Sequence, residues 1–191
     1  MTSTQFILGA SASILGFIGY FFYIRDMVRG KTKPHVFSWF LWGLSTGIAF
    51  LAQIVKGGGA GAWVTGLTAF MCLGIAVGAL RNGTKNITHS DWVCLAGGMV
   101  GIALWRLTGD PLATVIIIMI TDIISTLPTF RKAYYKPYEE TVSTYVLSAV
   151  KFIPAIAALG AFNLTTVLYP TSLILMNGSF VVMLVMRRKK V

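Results

Sequence analysis

The sequence predicts an all-α integral membrane protein with seven transmembrane helices, arranged as two parallel three-helix repeats joined by a linker helix. Three observations carry this: apolar segments of bilayer length, basic residues confined to alternate loops, and a faint internal repeat. Hydrophobic residues make up 55% of the chain and charged residues 12%, and the mean hydropathy is +0.75. A soluble core does not need that much apolar sequence. The 191 residues hold about seven spans of ~20 residues with short loops and no folded extramembrane domain. The net charge of +10 therefore belongs to loops and tail, where it signals topology and calls for no nucleic-acid partner. Cys72 and Cys94 both fall in apolar segments, which predicts small buried residues rather than a disulfide or a metal pair.

The first span covers about residues 5–24. MTSTQ before it has no basic residue and no small-residue cleavage site follows, which predicts a retained span rather than a signal peptide. RDMVRGKTKP is a turn-rich basic loop, and Pro34 then opens a second span, 35–55. KGGGAG makes a tight connection to a third, 62–80, and RNGTKNITHS is the next polar loop. The fourth, 92–107, is Gly-rich, uncharged in its middle, and has Trp92 and Trp105 where interfacial anchors sit. Spans five to seven are 112–129, 141–159 and 167–186, the last running into RRKK.

An odd number of spans puts the termini on opposite sides. Arg25, Arg29, Lys31, Lys33, Arg81, Lys85, Arg131, Lys132, Lys136 and Arg187 to Lys190 fall on one side, against Lys56 and Arg106 on the other. By the positive-inside rule the N-terminus is outside and the C-terminus cytoplasmic, in a multi-pass protein of the bacterial inner membrane.

Sliding residues 17–80 onto the later chain sets Ser38 on Ser143, Phe40 on Tyr145, Ile48 on Ile153 and Thr65 on Pro170. Identity is thin, but the order of elements matches without gaps: span, basic loop, span, very short outer loop, span. The predicted organisation is a first bundle over 1–80, a linker helix within 81–110 and a second bundle over 111–191. Parallel repeats about an axis along the membrane normal belong to transporter folds.

That architecture, with LPTFRKAYYKPYEETVSTY, resembles the SWEET and PQ-loop superfamily. Pro128, Thr129 and Phe130, followed by Arg131, Lys132 and Thr141, match the family's Pro near the cytoplasmic end of a repeat's first helix and the basic loop after it. The first repeat has Tyr23 in place of that Pro, and Pro170-Thr171 stands where the last SWEET helix has Pro-Asn. The resemblance implies alternating access by two rocking bundles. It also implies a sugar, an amino acid moved with protons, or, in the branch of sorting receptors, a bound partner.

The candidate site rests on two charges inside apolar spans, Asp122 and Lys151. A charge at the centre of a bilayer helix costs roughly 2.5–3.5 kcal/mol on insertion scales, so each must pair or line a wet cavity. From the helical rise, Asp122 lies about 10 Å in from Thr129, Lys151 about 15 Å in from Thr141, and Asn177 about 15 Å in from Arg187. A lysine stem spans the difference, so direct or water-bridged contact is feasible. Glu140, Thr144, Ser148 and Lys151 form one stripe on span six, Asp122, Ser125 and Thr129 another on span five, and Ser38, Trp42, Ser45 or Thr46, and Gln53 a third on span two. Asp122, Lys151, Asn177, Trp42, Thr46 and Ser148 are the predicted substrate-binding residues, with Pro128 and Pro154 as bending points. Trp39 is expected at the lipid interface, and His35 is expected solvated at the membrane edge.

No Ser-His-Asp set, metal-ligand spacing or phosphate loop is present; GKTKP and GGGAG lack the strand-to-helix context. A retinal protein would need a lysine in the last span, which has none. Neither catalysis nor a cofactor nor a bound metal is expected. The chain reads as a transporter of a small polar solute, zwitterionic or hydroxyl-rich, with proton coupling and homo-oligomerisation both left open. A receptor or assembly subunit with Asp122 and Lys151 as a structural ion pair is the second reading. A vitamin or nucleoside carrier is the third.

Overall fold

A computed structural model describes residues 2–190, and within them the chain forms helices and no strand. The helices are α1 Ser3–Val28, α2 Val36–Val55, α3 Trp63–Asn82, α4 His89–Leu107, α5 Pro111–Tyr135, α6 Val142–Val150, α7 Phe152–Ala157 and α8 Leu164–Arg188. Five stretches are long and apolar enough to cross a membrane: Ser3–Val28, Val36–Val55, Gly59–Asn82, Pro111–Tyr135 and Leu164–Arg188. The protein is thus an α-helical membrane protein. The other two expected spans correspond to α4 and to the shorter apolar stretch Val142–Ala157.

Helix starts follow from local side chains. Thr2 and Gln5 form a capping box ahead of α1, Thr88 and Asp91 another ahead of α4, and Asn163 and Thr166 a third ahead of α8. Such caps satisfy N–H groups that the helix leaves unpaired. Asp110 caps α5 by accepting from Leu112 N and Ala113 N, with Pro111 in the first turn, where its missing N–H costs nothing.

Two boundaries differ from expectation. α5 runs on past Thr129 to Tyr135, straight through Pro128, so Arg131 and Lys132 are helical rather than loop residues. The stretch expected as a sixth span is interrupted at Lys151, between α6 and α7, and ends at Ala157. Pro154 accounts for the interruption: without an N–H it cannot bond to the Val150 carbonyl. The next bond, Ala155 N to Lys151 O, is long at 3.4 Å.

Packing follows a closed circuit. α3 lies between α1 and α2, which make no substantial contact with each other; α8 likewise lies between α5 and α6. α2 packs on α5, and α1 packs on α6 and α7, which closes the ring α1–α3–α2–α5–α8–α6. α4 sits outside it, against α5 and α2. Large apolar side chains face outward on many helices, among them Phe21, Phe70, Val100, Ile120 and Leu175. That surface suits lipid rather than water.

The two ends of the ring are built differently. At the basic end, loops meet through polar contacts such as Thr84 N to Pro34 O (3.0 Å) and Lys33 N to Glu139 O (3.1 Å). At the opposite end, Gly57 and Gly59 take positive φ of 79° and 56°, which L side chains rarely adopt, and Gly160 N donates to Gly58 O at 3.2 Å. There, a Cβ on Gly61 would lie 2.5 Å from the Ala155 carbonyl oxygen and 2.8 Å from Leu159 N, so only glycine lets these backbones meet.

Gly61→Val is therefore expected to destabilise the fold by about 1–3 kcal/mol or more, the range for overpacking. Gly74→Ala, where an added Cβ meets nothing within 4 Å, is expected to leave the melting temperature of the detergent-solubilised protein nearly unchanged. Thermal unfolding of the two variants side by side checks this.

Candidate functional site

A cavity lies inside the ring, lined by side chains from all six ring helices and none from α4. Asp122, Lys151, Asn177, Trp42, Thr46 and Ser148 all line it; Pro128 and Pro154 do not. The cavity is about 50 Å³, room for a few water molecules at roughly 10–15 Å³ of such space each.

Asp122, on the mid-section of α5, is 1% exposed. Its Oδ2 accepts a 2.7 Å hydrogen bond from the Tyr169 hydroxyl of α8, and that phenol oxygen is 2.9 Å from Thr46 Oγ1 of α2. Because the single phenolic proton goes to the carboxylate, Thr46 supplies the proton of the second bond. Oδ1 of Asp122 has no hydrogen-bond partner.

Lys151, at the junction of α6 and α7, is fully buried at 0%. Its Nζ donates to Tyr20 Oη of α1 (3.0 Å) and Thr68 Oγ1 of α3 (2.8 Å). It also sits 4.4 Å from the Tyr20 ring centroid and 5.0 Å from that of Phe152, an arrangement that stabilises a desolvated cation. Thr68 passes its own proton to Val64 O at 2.6 Å. The aliphatic stem crosses α1 at Gly16, where a Cβ would stand 3.2 Å from Lys151 Cδ.

The two charges are thus not in contact: no salt bridge within 4.0 Å joins them. Direct contact, which depth alone made feasible, is absent because α8 stands between α5 and α6; Asp122 is met by Tyr169, and Lys151 by Tyr20 and Thr68. Each cluster draws on three elements. Asp122 draws on α5, α8 and α2, and Lys151 on the α6–α7 junction, α1 and α3.

Between the cavity and the basic end lies a second polar cluster. Glu140, 2% exposed, accepts from Tyr23 Oη (3.1 Å), Tyr145 Oη (2.8 Å) and Lys132 Nζ. Trp39 Nε1 donates to Tyr23 Oη at 3.1 Å. Lys132 Nζ also donates to Lys33 O (2.6 Å) and Glu139 O (3.1 Å), and Arg188 reaches Glu140 O at 2.6 Å. The Glu140 carboxylate and the Lys132 ammonium thereby tie α1, α5 and α6 together, with Trp39 joining α2 through Tyr23 and Arg188 joining α8 through the Glu140 carbonyl. A third group holds α4: Asp91 accepts from Arg131 at 2.8 Å and lies 3.3 Å from His35 Nε2, and Arg131 also reaches Thr88.

Several residues sit elsewhere than expected. Trp39 is buried at 2% and packs on Tyr23 and Trp42, because its N–H has a partner in the second polar cluster and not at a lipid interface. His35 is buried beside Asp91 rather than solvated. Lys132, counted among the loop cations, is 6% exposed. Asn177 lines the cavity but donates to its own helix at Leu173 O, 2.8 Å. The tyrosines Tyr20, Tyr23, Tyr145 and Tyr169 are the partners of the buried charges that sequence reasoning missed. Their only signal was a phenol inside an apolar segment, and a buried phenol needs a partner.

Comparison with family models, with curated proteins and with solved structures finds no match for this chain. The reading of the site therefore rests on its own chemistry.

Removing one partner of the buried Lys132 and Glu140 pair leaves the other charge uncompensated, at a cost of about 3–5 kcal/mol. Lys132→Met and Glu140→Gln are each expected to lower the unfolding midpoint in detergent, and the double variant to recover most of the loss. Additive losses in that double-mutant cycle would contradict a coupled pair.

Proposed function

We propose that this protein is a small-solute transporter, a carrier of a polar metabolite such as a sugar or an amino acid, working by alternating access. It resides in a bacterial inner membrane. The single observation that carries the reading is the cavity enclosed by six helices and lined by Asp122 and Lys151, two buried opposite charges without a direct ion pair. Charges inside membrane segments are costly and mark solute or ion pathways, and a cavity between helices with a few convergent polar groups is the usual form of a small-molecule site.

The circuit of helices supports a three-plus-one-plus-three plan. In both halves the third helix lies between the first two, and each half's first helix packs on the other half's second. This is what two parallel bundles about an axis along the membrane normal would give, with α4 as the linker. Basic residues collected at one end support an outside N-terminus and a cytoplasmic C-terminus. In this reading the cluster around Glu140 is the inner gate and the glycine contacts around Gly61 the outer one. The cavity between them, about 50 Å³, is too small for a metabolite, so a solute enters when one end opens wider. The helix interruption at Lys151 and Pro154, and Pro128 in α5, are the bending points. The absence of a direct bond between Asp122 and Lys151 counts against a receptor or assembly subunit locked by that pair.

Protein reconstituted in liposomes is expected to take up at least one solute from a panel of sugars, amino acids, vitamins and nucleosides, with or without a pH gradient. Asp122→Asn is expected to lower that uptake by about tenfold or more while the variant still folds. Failure to move any member of the panel would sink the transport reading. For topology, single cysteines introduced at Lys85 and Gly109 in a cysteine-free background are expected to react with an impermeant thiol reagent from opposite faces, Gly109→Cys from outside.

A further inference from the structure

Resting on the transport reading, we infer that the solute is a compact zwitterion: an ammonium and a carboxylate on one small body with an uncharged side chain, the class of the neutral amino acids.

The argument is a count of unused hydrogen-bonding capacity. An ionised carboxylate accepts on both oxygens, and an ammonium has three N–H donors. Asp122 Oδ2 is taken by Tyr169, while Oδ1 has no donor in hydrogen-bonding geometry and the Ser45 hydroxyl beside the carboxylate is itself unpartnered. Lys151 spends two donors on Tyr20 and Thr68, which leaves one. The cavity therefore offers one anionic acceptor and one cationic donor, both at the end of a fully buried group. The surrounding hydroxyls reinforce that polarity. On the acidic side protons point inward along the relay from Thr46 to Tyr169 to Asp122. On the basic side they point away from the charge, from Lys151 to Thr68 to Val64 O.

A solute ammonium against Oδ1 and a solute carboxylate against Nζ would compensate both buried charges at once. A sugar hydroxyl can donate to one and accept from the other but brings no charge to either, and unpaired buried charge is the larger cost. The two groups stand on helices that do not pack on each other, since α8 intervenes between α5 and α6. The solute must therefore present its ammonium and its carboxylate in different directions, as the two groups on the α-carbon of an amino acid do. Among the described residues no other charged one lines the cavity; Trp42, Phe130, Phe152, Leu173 and Met176 supply much of the remaining wall. A side chain carrying its own charge would find no partner there.

The test uses the native protein in nanodiscs for binding and in liposomes for uptake. The probes are each common amino acid with an uncharged side chain, its decarboxylated amine, its deaminated acid, and glucose and uridine. At least one amino acid is expected to bind and be taken up, with its amine and its acid weaker by about a hundredfold or more, because a buried polar group left unpaired rejects the analogue strongly. In variants that still bind, Asp122→Asn is expected to narrow the gap between the amino acid and its acid, and Lys151→Gln the gap between the amino acid and its amine. Uptake of glucose or uridine with no amino acid bound would overturn the zwitterion and leave the transporter standing. An amine or acid binding as well as its parent would do the same. If no probe binds or moves, both readings fall.

Discussion

The structure depends on how a membrane protein accommodates charge away from water. Asp122, Lys151, Lys132 and Glu140 are all nearly or fully buried, and isolated ions in such surroundings would cost several kcal/mol each. Each is instead met by donors or acceptors from other helices. Because those partners come from helices distant in sequence, satisfying the charges also fixes which helices are neighbours. Glu140 alone accepts from α1, α5 and α6, so the circuit of helices and the electrostatics are one constraint.

The same physics divides the molecule along its axis. Near the basic end, long polar side chains close the ring. At the other end glycine backbones touch directly, with a carbonyl 2.5 Å from where a Cβ on Gly61 would be, and separation there requires whole helices to move. Between them lies the cavity, where phenol and hydroxyl groups hold Asp122 and Lys151 apart. In the proposed transport cycle these two unlike closures would open at different times, and the helix interruption at Lys151 would give one wall a place to bend.

Much of this was legible in the residues. Apolar lengths and loop chemistry gave the membrane class and nearly every helix, because span length and capping are local properties. All six residues chosen for the site line one cavity. They meet there because a charge in an apolar segment is expensive wherever it lies, and polar stripes at helical spacing share a face. What failed was anything depending on a partner from elsewhere in the chain. Trp39 and His35 look like edge residues until Tyr23 and Asp91 are beside them, and Lys132 looks like a loop cation until Glu140 is beneath it.

The sequence by itself determined that the chain lives in a membrane, where its helices start, which end collects the positive charge and which two side chains are too costly to be idle. Only the tertiary structure decided that Asp122 and Lys151 face one cavity without touching, since their separation depends on α8 standing between α5 and α6. It also decided that Tyr169 and Tyr20 answer them. Hydropathy and periodicity report the face a residue occupies on its own helix; which helix lies opposite is a property of packing.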